Sequence, residues 1–320
     1  MVNVMNDMVD TIIIGAGMSG LVLAKHLSDQ NLGTVLVLEK SRGVGGRMAT
    51  RRTLDTKFDH GAQFYRLKND ISEFHQLWSE QKINHHWFSS ELGEHWCSIE
   101  GMTKLAKWLA KDLKIELDKQ VAQLEYHQSL WTLKTENETY TCKRLIVTAP
   151  CPQALQLLDK NKIQYPEELK NYQYTKALIG LITLNQELNI GEPGYIEFQS
   201  GPFFSISDQK KKGVSDLHAY TFTMSADFSE NGFENTNEES LHKIKEAIIS
   251  QFPQLNSHSF SGLELKKWRY CQSLKTYPEL FCSLENELYL VGDTFGGSSL
   301  LGAIRSAKAL GLFLSSLKIN

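Results

Sequence analysis

The run DTIIIGAGMSGLVLAKHLSDQ, residues 10–30, constrains the fold more than any other stretch. A short β-branched strand passes directly into Gly15, Gly17 and Gly20, then into a helix in which Leu21, Ala24 and Leu27 recur at helical spacing. TVLVLEK, residues 34–40, is a second β-branched strand, and it ends on Glu39 and Lys40. Strand, glycine turn, helix and strand in this order predict a βαβ unit with a parallel pair. In GAGMSG the first glycine permits a tight turn, the second lets backbone approach a pyrophosphate, and the third lets helix pack on strand. Ala16, Met18 and Ser19 complete that turn, and the helix N-terminus offers free N–H groups to phosphates. Glu39 lies nineteen positions beyond Gly20, where a carboxylate accepts hydrogen bonds from an adenosine ribose. Together these residues predict a dinucleotide site.

Two further stretches narrow the dinucleotide. EKSRGVGGRMATRR, residues 39–52, carries four arginines and three glycines. Its glycines let backbone run beside a long cofactor. Arg42 and Arg47 have the guanidinium forks that match phosphate oxygens. Arg51 and Arg52 either extend that contact or hold the loop against neighbouring carboxylates. Near the other end, VGDTFGGSSLLGAIRSA places Asp293 after Gly292 and a buried strand. An aspartate there accepts hydrogen bonds from a polyol; alone it reads as a helix cap. Paired with GAGMSG it points to FAD, whose ribitol a nicotinamide dinucleotide lacks. Cys151 and Cys271 read as packing residues, so the flavin is expected to be held non-covalently.

With 41% apolar and 22% charged residues among 320, the chain has an ordinary globular composition. A net charge of −3 gives no global attraction to nucleic acid or anionic membrane. The five cysteines form no CxxC pair and fit reduced thiols better than a disulfide framework or zinc site. The N-terminus lacks signal-peptide features, and no uninterrupted apolar run reaches the roughly eighteen residues of a membrane span. A cytoplasmic location is expected.

The chain path predicts an α/β fold: a Rossmann-like FAD-binding domain with an inserted, mixed α+β substrate domain on an antiparallel sheet. The FAD domain is assigned residues 1–68, 99–150 and 263–320, and the substrate domain 69–98 and 151–262. GMTKLAKWLAKDL at 101–113 is predicted to be an amphipathic helix. ALIGLITL (177–184) is the longest apolar stretch, and HAYTFTMSADF suits a strand. EESLHKIKEAIISQF suits a helix, and KKWRYCQS (266–273) reads as a strand returning to the FAD domain.

RGVGGRMATRR, FDHGAQFY, TAPCPQALQLL and GDTFGGSSLLGAIRSA, with GAGMSG and Glu39, resemble the flavin-dependent amine oxidase superfamily. More narrowly they resemble bacterial renalase-like FAD oxidoreductases. The likeness covers about half the chain and is thin from about 160 to 260. It implies that Gly46, Arg47 and Met48 lie along the pyrophosphate and ribityl region, and that Gly61, Ala62 and Gln63 approach the isoalloxazine. It further implies Val121 on the adenine side, Asp293 at the ribitol, and Leu301 and Ala303 beside the ring. Relatives often have His-Arg-Trp where this chain reads Lys266-Lys267-Trp268, so no histidine role carries over at that position.

The resemblance implies an oxidase that takes a hydride from a small reduced molecule to flavin N5 and passes the electrons to O₂, giving hydrogen peroxide. In renalase-like relatives the substrates are dihydronicotinamide isomers of NAD(P)H. Gln63, Tyr65 and Trp268 are the expected substrate-facing residues. An amine oxidase or desaturase on the same scaffold is the first alternative, and a non-catalytic flavin-binding protein the second. His85, His86 and His95 lack a metal-ligand spacing and read as a solvated or partly packed loop; no metal is expected. Lys210–Lys212 reads as an exposed turn, with a phosphate-attracting rim as the minor reading. Phe203, Phe204, Tyr220 and Phe222 read as core.

Overall fold

The computed structural model describes residues 4–5 and 8–317. By packing, the chain forms two compact units: 1–46, 106–173 and 273–320 in the first, 47–105 and 174–272 in the second. This division separates Gly46 from Arg47. It also places 47–68, 99–105 and 263–272 with the antiparallel half of the chain, whereas the expected functional division put them with the dinucleotide half.

The first unit is built on a nine-stranded sheet. Val9–Ile14 lies at its centre, parallel to Val35–Leu38 on one side and to Glu138–Val147 on the other. Ile12 and Ile13 are fully buried, as such a doubly covered strand requires. Ile14 stands in register with Leu38 and with Val147, so three strands end together, and the next residues are Gly15, Glu39 and Thr148. Leu288–Leu290 pairs in parallel with Leu145–Val147. Ligands of such sheets bind beyond the carboxyl ends of the strands. On the far side Leu130–Lys134 and Gln123–His127 extend the sheet as an antiparallel hairpin.

Two helices pack together beside this sheet, Met18–Asp29 and Leu300–Leu317. A Cβ at Gly311 would stand 2.7 Å from the His26 ring, so the glycine sets how closely the helices cross. Leu300–Leu317 is long and apolar enough to cross a membrane, with a mean hydropathy of 1.3. Arg305 and Lys308 interrupt it, so it is not a continuous apolar run. In the fold, Ile304, Ala307, Leu310 and Leu314 are buried in the unit.

The helix predicted for 101–113 spans only Thr103–Leu109. Asp112 adopts a positive φ of 67°, which ends any continuation.

The second unit centres on five antiparallel strands in the order Tyr195–Glu197, Phe203–Asp208, Ala219–Met224, Ala177–Leu184 and Phe260–Trp268. Alternation splits Ala177–Leu184 between two clusters. Leu178, Ile182 and Leu184 pack with Ile244 and Ile248 of the helix Asn237–Gln251, whose start is fixed by a Thr236–Glu239 capping box. Ala177, Ile179 and Leu181 pack with Phe58, and Trp268 borders that cluster. Residues 266–268 therefore end a strand of this sheet rather than return to the dinucleotide sheet. Phe203, Tyr220 and Phe222 are core, but Phe204 is 42% exposed, because neighbouring strand residues face opposite sides.

Candidate functional site

In the first unit the glycine turn is tightened by backbone contacts. Gly15 has φ of 109°, and its N–H donates to the Leu38 carbonyl (2.8 Å). A Cβ at Gly20 would stand 2.0 Å from the Gly15 carbonyl oxygen, which only glycine avoids. At Gly17 the situation is the reverse. Nothing lies within 4 Å of where a Cβ would stand, so this face of the turn is open at the N-terminus of Met18–Asp29. Thr148 braces the turn, its hydroxyl donating to the carbonyls of Ile14 (3.0 Å) and Gly15 (3.2 Å).

Glu39 is 7% exposed, and its two carboxylate oxygens accept the N–H of Ala16 and of Ser41, each at 2.8 Å. Its backbone joins residues 116–119: Glu39 N–H donates to the Glu116 carbonyl, and Lys119 N–H to the Glu39 carbonyl. Val121, 8% exposed, follows on that segment. Lys40 and Arg42 are exposed. The second glycine cluster sits directly on the first: Gly45 N–H donates to the Ala16 carbonyl at 2.8 Å, and Gly45 bridges Gly17 in parallel.

At the C-terminal loop, Asp293 is 4% exposed and begins the short helix Asp293–Gly296. Gly292 N–H donates to the Ser306 hydroxyl (3.0 Å). A Cβ on Gly302 would stand 1.6 Å from the Gly297 carbonyl oxygen, so loop and helix meet backbone to backbone. The Ser19 hydroxyl donates to the Ala303 carbonyl (3.0 Å), which ties together the N-terminal ends of Met18–Asp29 and Leu300–Leu317. Leu301 and Ala303 are half-buried.

In the second unit, residues 47–49 run against residues 60–62. Ala62 N–H donates to the Arg47 carbonyl (2.8 Å) and His60 N–H to the Ala49 carbonyl (3.0 Å). A Cβ on Gly61 would stand 1.8 Å from the Arg47 carbonyl oxygen. Met48 is buried, and its carbonyl accepts the Thr103 hydroxyl. The Arg47 guanidinium donates to the Cys271 carbonyl (3.0 Å) and lies 5.5 Å from the Tyr174 ring centre. Arg51 pairs with Glu264, and Arg52 donates to the Glu100 carbonyl, so both hold the loop within this unit.

His60 stacks on Trp268, ring centres 5.5 Å apart, and the Trp268 indole N–H donates to the His60 carbonyl (2.8 Å). The His60 Nδ1 is buried without a partner. Burial, and then the Lys266 charge, push the imidazole down to about 4, so it is neutral at neutral pH. Lys266 pairs with Glu264, and Lys267 donates to the carbonyls of Phe233 (2.8 Å) and Asn235 (2.6 Å). These lysines therefore serve the fold, and the imidazole on Trp268 comes from elsewhere in the chain.

Gln63 and Tyr65 are less open than expected. Gln63 is 8% exposed; its amide N–H group donates to the carbonyls of Asp59 (2.7 Å) and Gly61, and its Oε1 accepts from Gln209 (3.1 Å) and Lys212 (3.3 Å). Tyr65 is 2% exposed, hydrogen-bonded to His75 and Asn84 and packed on Trp78, and burial raises its phenol well above the ordinary range. Its packing turns it into the unit's interior rather than towards a substrate.

The expected exposed turn at 210–212 holds a buried ion pair. Lys210 is exposed, but Lys212 and Asp59 are both fully buried, with Nζ 2.7 Å from Oδ2. The other Asp59 oxygen accepts from Thr50 (2.5 Å) and from the Met102 N–H (2.8 Å). The ammonium also lies 5.3 Å from the Trp87 ring centre. The Lys212 carbonyl lies 3.0 Å from His85 Nε2. His85, His86 and His95 are strand residues, not loop; His95 is buried and stacks on Phe88. Among the described residues no group of three or more His, Cys, Asp or Glu is placed to hold a metal. Cys151 is buried and Cys271 half-buried.

Residues 13–80 match the NAD(P)-binding Rossmann-like domain, and residues 71–309 match the family described as flavin containing amine oxidoreductase. The chain belongs to that family. Similar solved structures agree on the fold. A putative protoporphyrinogen oxidase from Exiguobacterium sp. 255-15 has a TM-score of 0.72 at 11% identity, with 98% of this chain and 100% of that one covered. A putrescine oxidase triple mutant, redesigned in its cofactor binding, scores 0.74 at 14% identity, covering 97% and 99%. A CLA-producing fatty acid isomerase from P. acnes scores 0.71 at 11% identity, covering 95% and 98%. The protein is an FAD-dependent oxidoreductase.

As a member of the flavin containing amine oxidoreductases, the chain should offer a fit for FAD, and the first unit does. The open face at Gly17 would take phosphate, and the Glu39 carboxylate facing the turn and the buried Asp293 would take the polyol hydroxyls. Carboxylates have about four lone-pair sites, so Glu39 can take ribose hydroxyls beyond the two N–H groups it already holds. Glu39→Ala should strip both N–H groups of their acceptor, at about 1–3 kcal/mol each where buried, and leave less flavin per chain after gel filtration. Glu39→Gln should lose less. Equal flavin occupancy in all three proteins would remove the ribose role.

Sequence reasoning missed His60, Lys212 and Thr148 in this FAD-dependent oxidoreductase. His60 lies inside the quoted FDHGAQFY stretch but carries no spacing signal, because its partner Trp268 is far along the chain. Its depressed basicity gives a pH signature. Below about 6.5 the unfolded chain binds a proton that the folded imidazole refuses down to about 4. Stability is then fully present above 6.5, falls as pH drops, and this contribution is gone below about 4. His60→Phe should flatten that part of the urea-midpoint profile between pH 7 and 4; an unchanged slope would count against it.

Proposed function

We propose that this FAD-dependent oxidoreductase is an oxidase of small reduced molecules, foremost dihydronicotinamide isomers of NAD(P)H, with O₂ as acceptor and hydrogen peroxide as product. The reading rests on the His60–Trp268 pair: two stacked flat rings, the imidazole neutral, next to Gly61 and Ala62. A planar, uncharged dihydropyridine ring can stack on such a surface, and among the described residues the carboxylates beside it, Asp59 and Glu264, are held by Lys212, Lys266 and Arg51 and so are not free to pair with a substrate ammonium.

In this reading Gly15–Gly20, Glu39, Lys40, Arg42, Gly46, Val121, Gly292, Asp293, Leu301 and Ala303 hold FAD within the first unit. Bound FAD supplies hydride acceptance and return of electrons to O₂. The protein's part is to bind and orient. Hydride transfer from a ring carbon of a dihydronicotinamide, whose ring nitrogen bears the ribose and no proton, needs no protein base. This suits a site whose imidazole stays neutral and whose lysine and aspartate neutralise each other.

Amine oxidation is the second reading, favoured by the matched family and by the fold shared with putrescine oxidase. Anaerobic stopped-flow absorbance of the yellow protein separates the two, using amines, NADH, NADPH and their dihydro isomers. The proposal expects an isomer to bleach the flavin faster than NADH and amines to leave it oxidised. Bleaching by amines alone would replace it with the second reading.

A further inference from the structure

Three charged side chains share one face of the antiparallel sheet with the His60–Trp268 pair. On the edge strand Phe260–Trp268, the alternate residues Glu264, Lys266 and Trp268 stand opposite Leu181, Ile179 and Ala177. Phe58 packs with those three apolar residues. Arg51 is the register partner of Phe58, where Thr50–Arg52 pairs with Lys57–Asp59, so it stands on the same side. Glu264 joins the two cations. One carboxylate oxygen accepts from Arg51 Nε (2.9 Å) and the other from Lys266 Nζ (2.5 Å).

This carboxylate fixes both cations without using up their donors. Among the described residues Glu264 is the one side-chain partner of each, and the Nη1–Nη2 edge of Arg51 makes no contact. The side chains of Arg51, Glu264 and Lys266 are 46%, 32% and 28% exposed, so the cluster opens to solvent rather than closing on itself. Such a guanidinium edge matches two oxygens of a phosphate, and an ammonium beside it adds a point charge. Charge balance points the same way. The charges that act on the His60 imidazole are those of Lys266, Asp59, Glu264 and Arg51. Lys212 neutralises Asp59, and Glu264 neutralises one of the two cations. One positive charge is left beside the stacked rings, which repels an ammonium and attracts an oxyanion.

We propose that Arg51 and Lys266, held by Glu264, bind the phosphates of a nucleotide substrate whose ring lies on His60 and Trp268. The proposal rests on the reading that this face receives a dihydronicotinamide. It adds that the enzyme takes the nucleotide in preference to the bare ring or its riboside. Glu264 is a positioning residue, because its two oxygens set the spacing of the cations that meet the phosphates.

The test compares one dihydronicotinamide isomer as dinucleotide and as riboside, which has the same ring and no phosphate, in anaerobic flavin reduction. The dinucleotide should reach half-maximal rate at a concentration about tenfold lower, the worth of a charge-assisted contact, with the limiting rate unchanged. Arg51→Met and Lys266→Met should each raise that concentration about tenfold for the dinucleotide and leave the riboside unaffected. A general loss of stability would not produce this split. Arg51→Lys should recover part of the effect, since it keeps the charge and loses the fork. Calorimetric titration of the flavin-loaded protein with pyrophosphate reads the cation pair without turnover; binding should saturate and weaken about tenfold in either Met variant. Flavin reduction that is equal with and without phosphate on the substrate, in wild type and both variants, would overturn the proposal and leave the substrate reading intact. Pyrophosphate binding that depends on Arg51 and Lys266, with no isomer reducing the flavin, would retain the oxyanion site and overturn the substrate reading. Failure of both measurements would overturn both.

Discussion

Lys212→Met should destabilise the protein by about 3–5 kcal/mol, because it strands a charged Asp59 in a fully buried site. Both partners are fully buried, and the ammonium is also the donor to Gln63 and the cation beside Trp87. The pair joins the strand Lys57–Asp59 to the turn after Phe203–Asp208, so its loss loosens the segment that carries His60 and Gly61. Urea unfolding followed by tryptophan fluorescence is the direct measurement. Removing both charges together, as Asp59→Asn with Lys212→Met, should recover most of the loss, since the expense lies in the unpaired ion. A Lys212→Met protein within about 1 kcal/mol of wild type would show that the carboxylate finds another partner or a proton.

The second large effect belongs to Gly61→Ala. A single added methyl would sit 1.8 Å from the Arg47 carbonyl oxygen and 2.6 Å from its carbon. These are backbone atoms and cannot swing aside, so residues 47–49 and 60–62 must separate. That breaks the bonds from Ala62 to Arg47 and from His60 to Ala49. Overpacking costs about 1–3 kcal/mol, and the two broken hydrogen bonds add about 1 kcal/mol each. The variant should purify with reduced flavin and a lowered urea midpoint. Gly43→Ala is the control: its Cβ would meet nothing within 4 Å, so both measurements should match wild type. If Gly61→Ala behaves like Gly43→Ala, the close approach of these segments has no energetic weight.

Much of the dinucleotide half was legible because its chemistry is local. Gly15, Gly17 and Gly20 are spaced by the turn itself, and Glu39 follows from the length of one helix and one strand. The lining-up of Ile14, Leu38 and Val147 then puts Glu39 and Thr148 at the turn. The arginine-rich stretch was legible only in part. Gly45 and Gly46 meet the first glycine turn at Gly17, whereas Gly43 meets nothing, and Arg47, Arg51 and Arg52 resemble phosphate ligands equally well whether or not carbonyls and carboxylates of distant segments take them up.

The antiparallel half hid more. A lysine in a KKK run carries no sign of burial, and Lys212 is buried only because Asp59 meets it from 153 positions away. Likewise, neither His60 nor Trp268 announces the other. A strand of alternating residues fixes which side chains share a face, and it does so for Ala177 and Leu178 alike. Which residues of other strands and helices lie across that face depends on pairing between segments far apart in the chain. The nucleotide-binding turn, the cofactor and the family are written in local patterns of residues. Which charges are neutralised and which imidazole meets the tryptophan are set by the folded chain, because those are contacts between residues no local pattern relates.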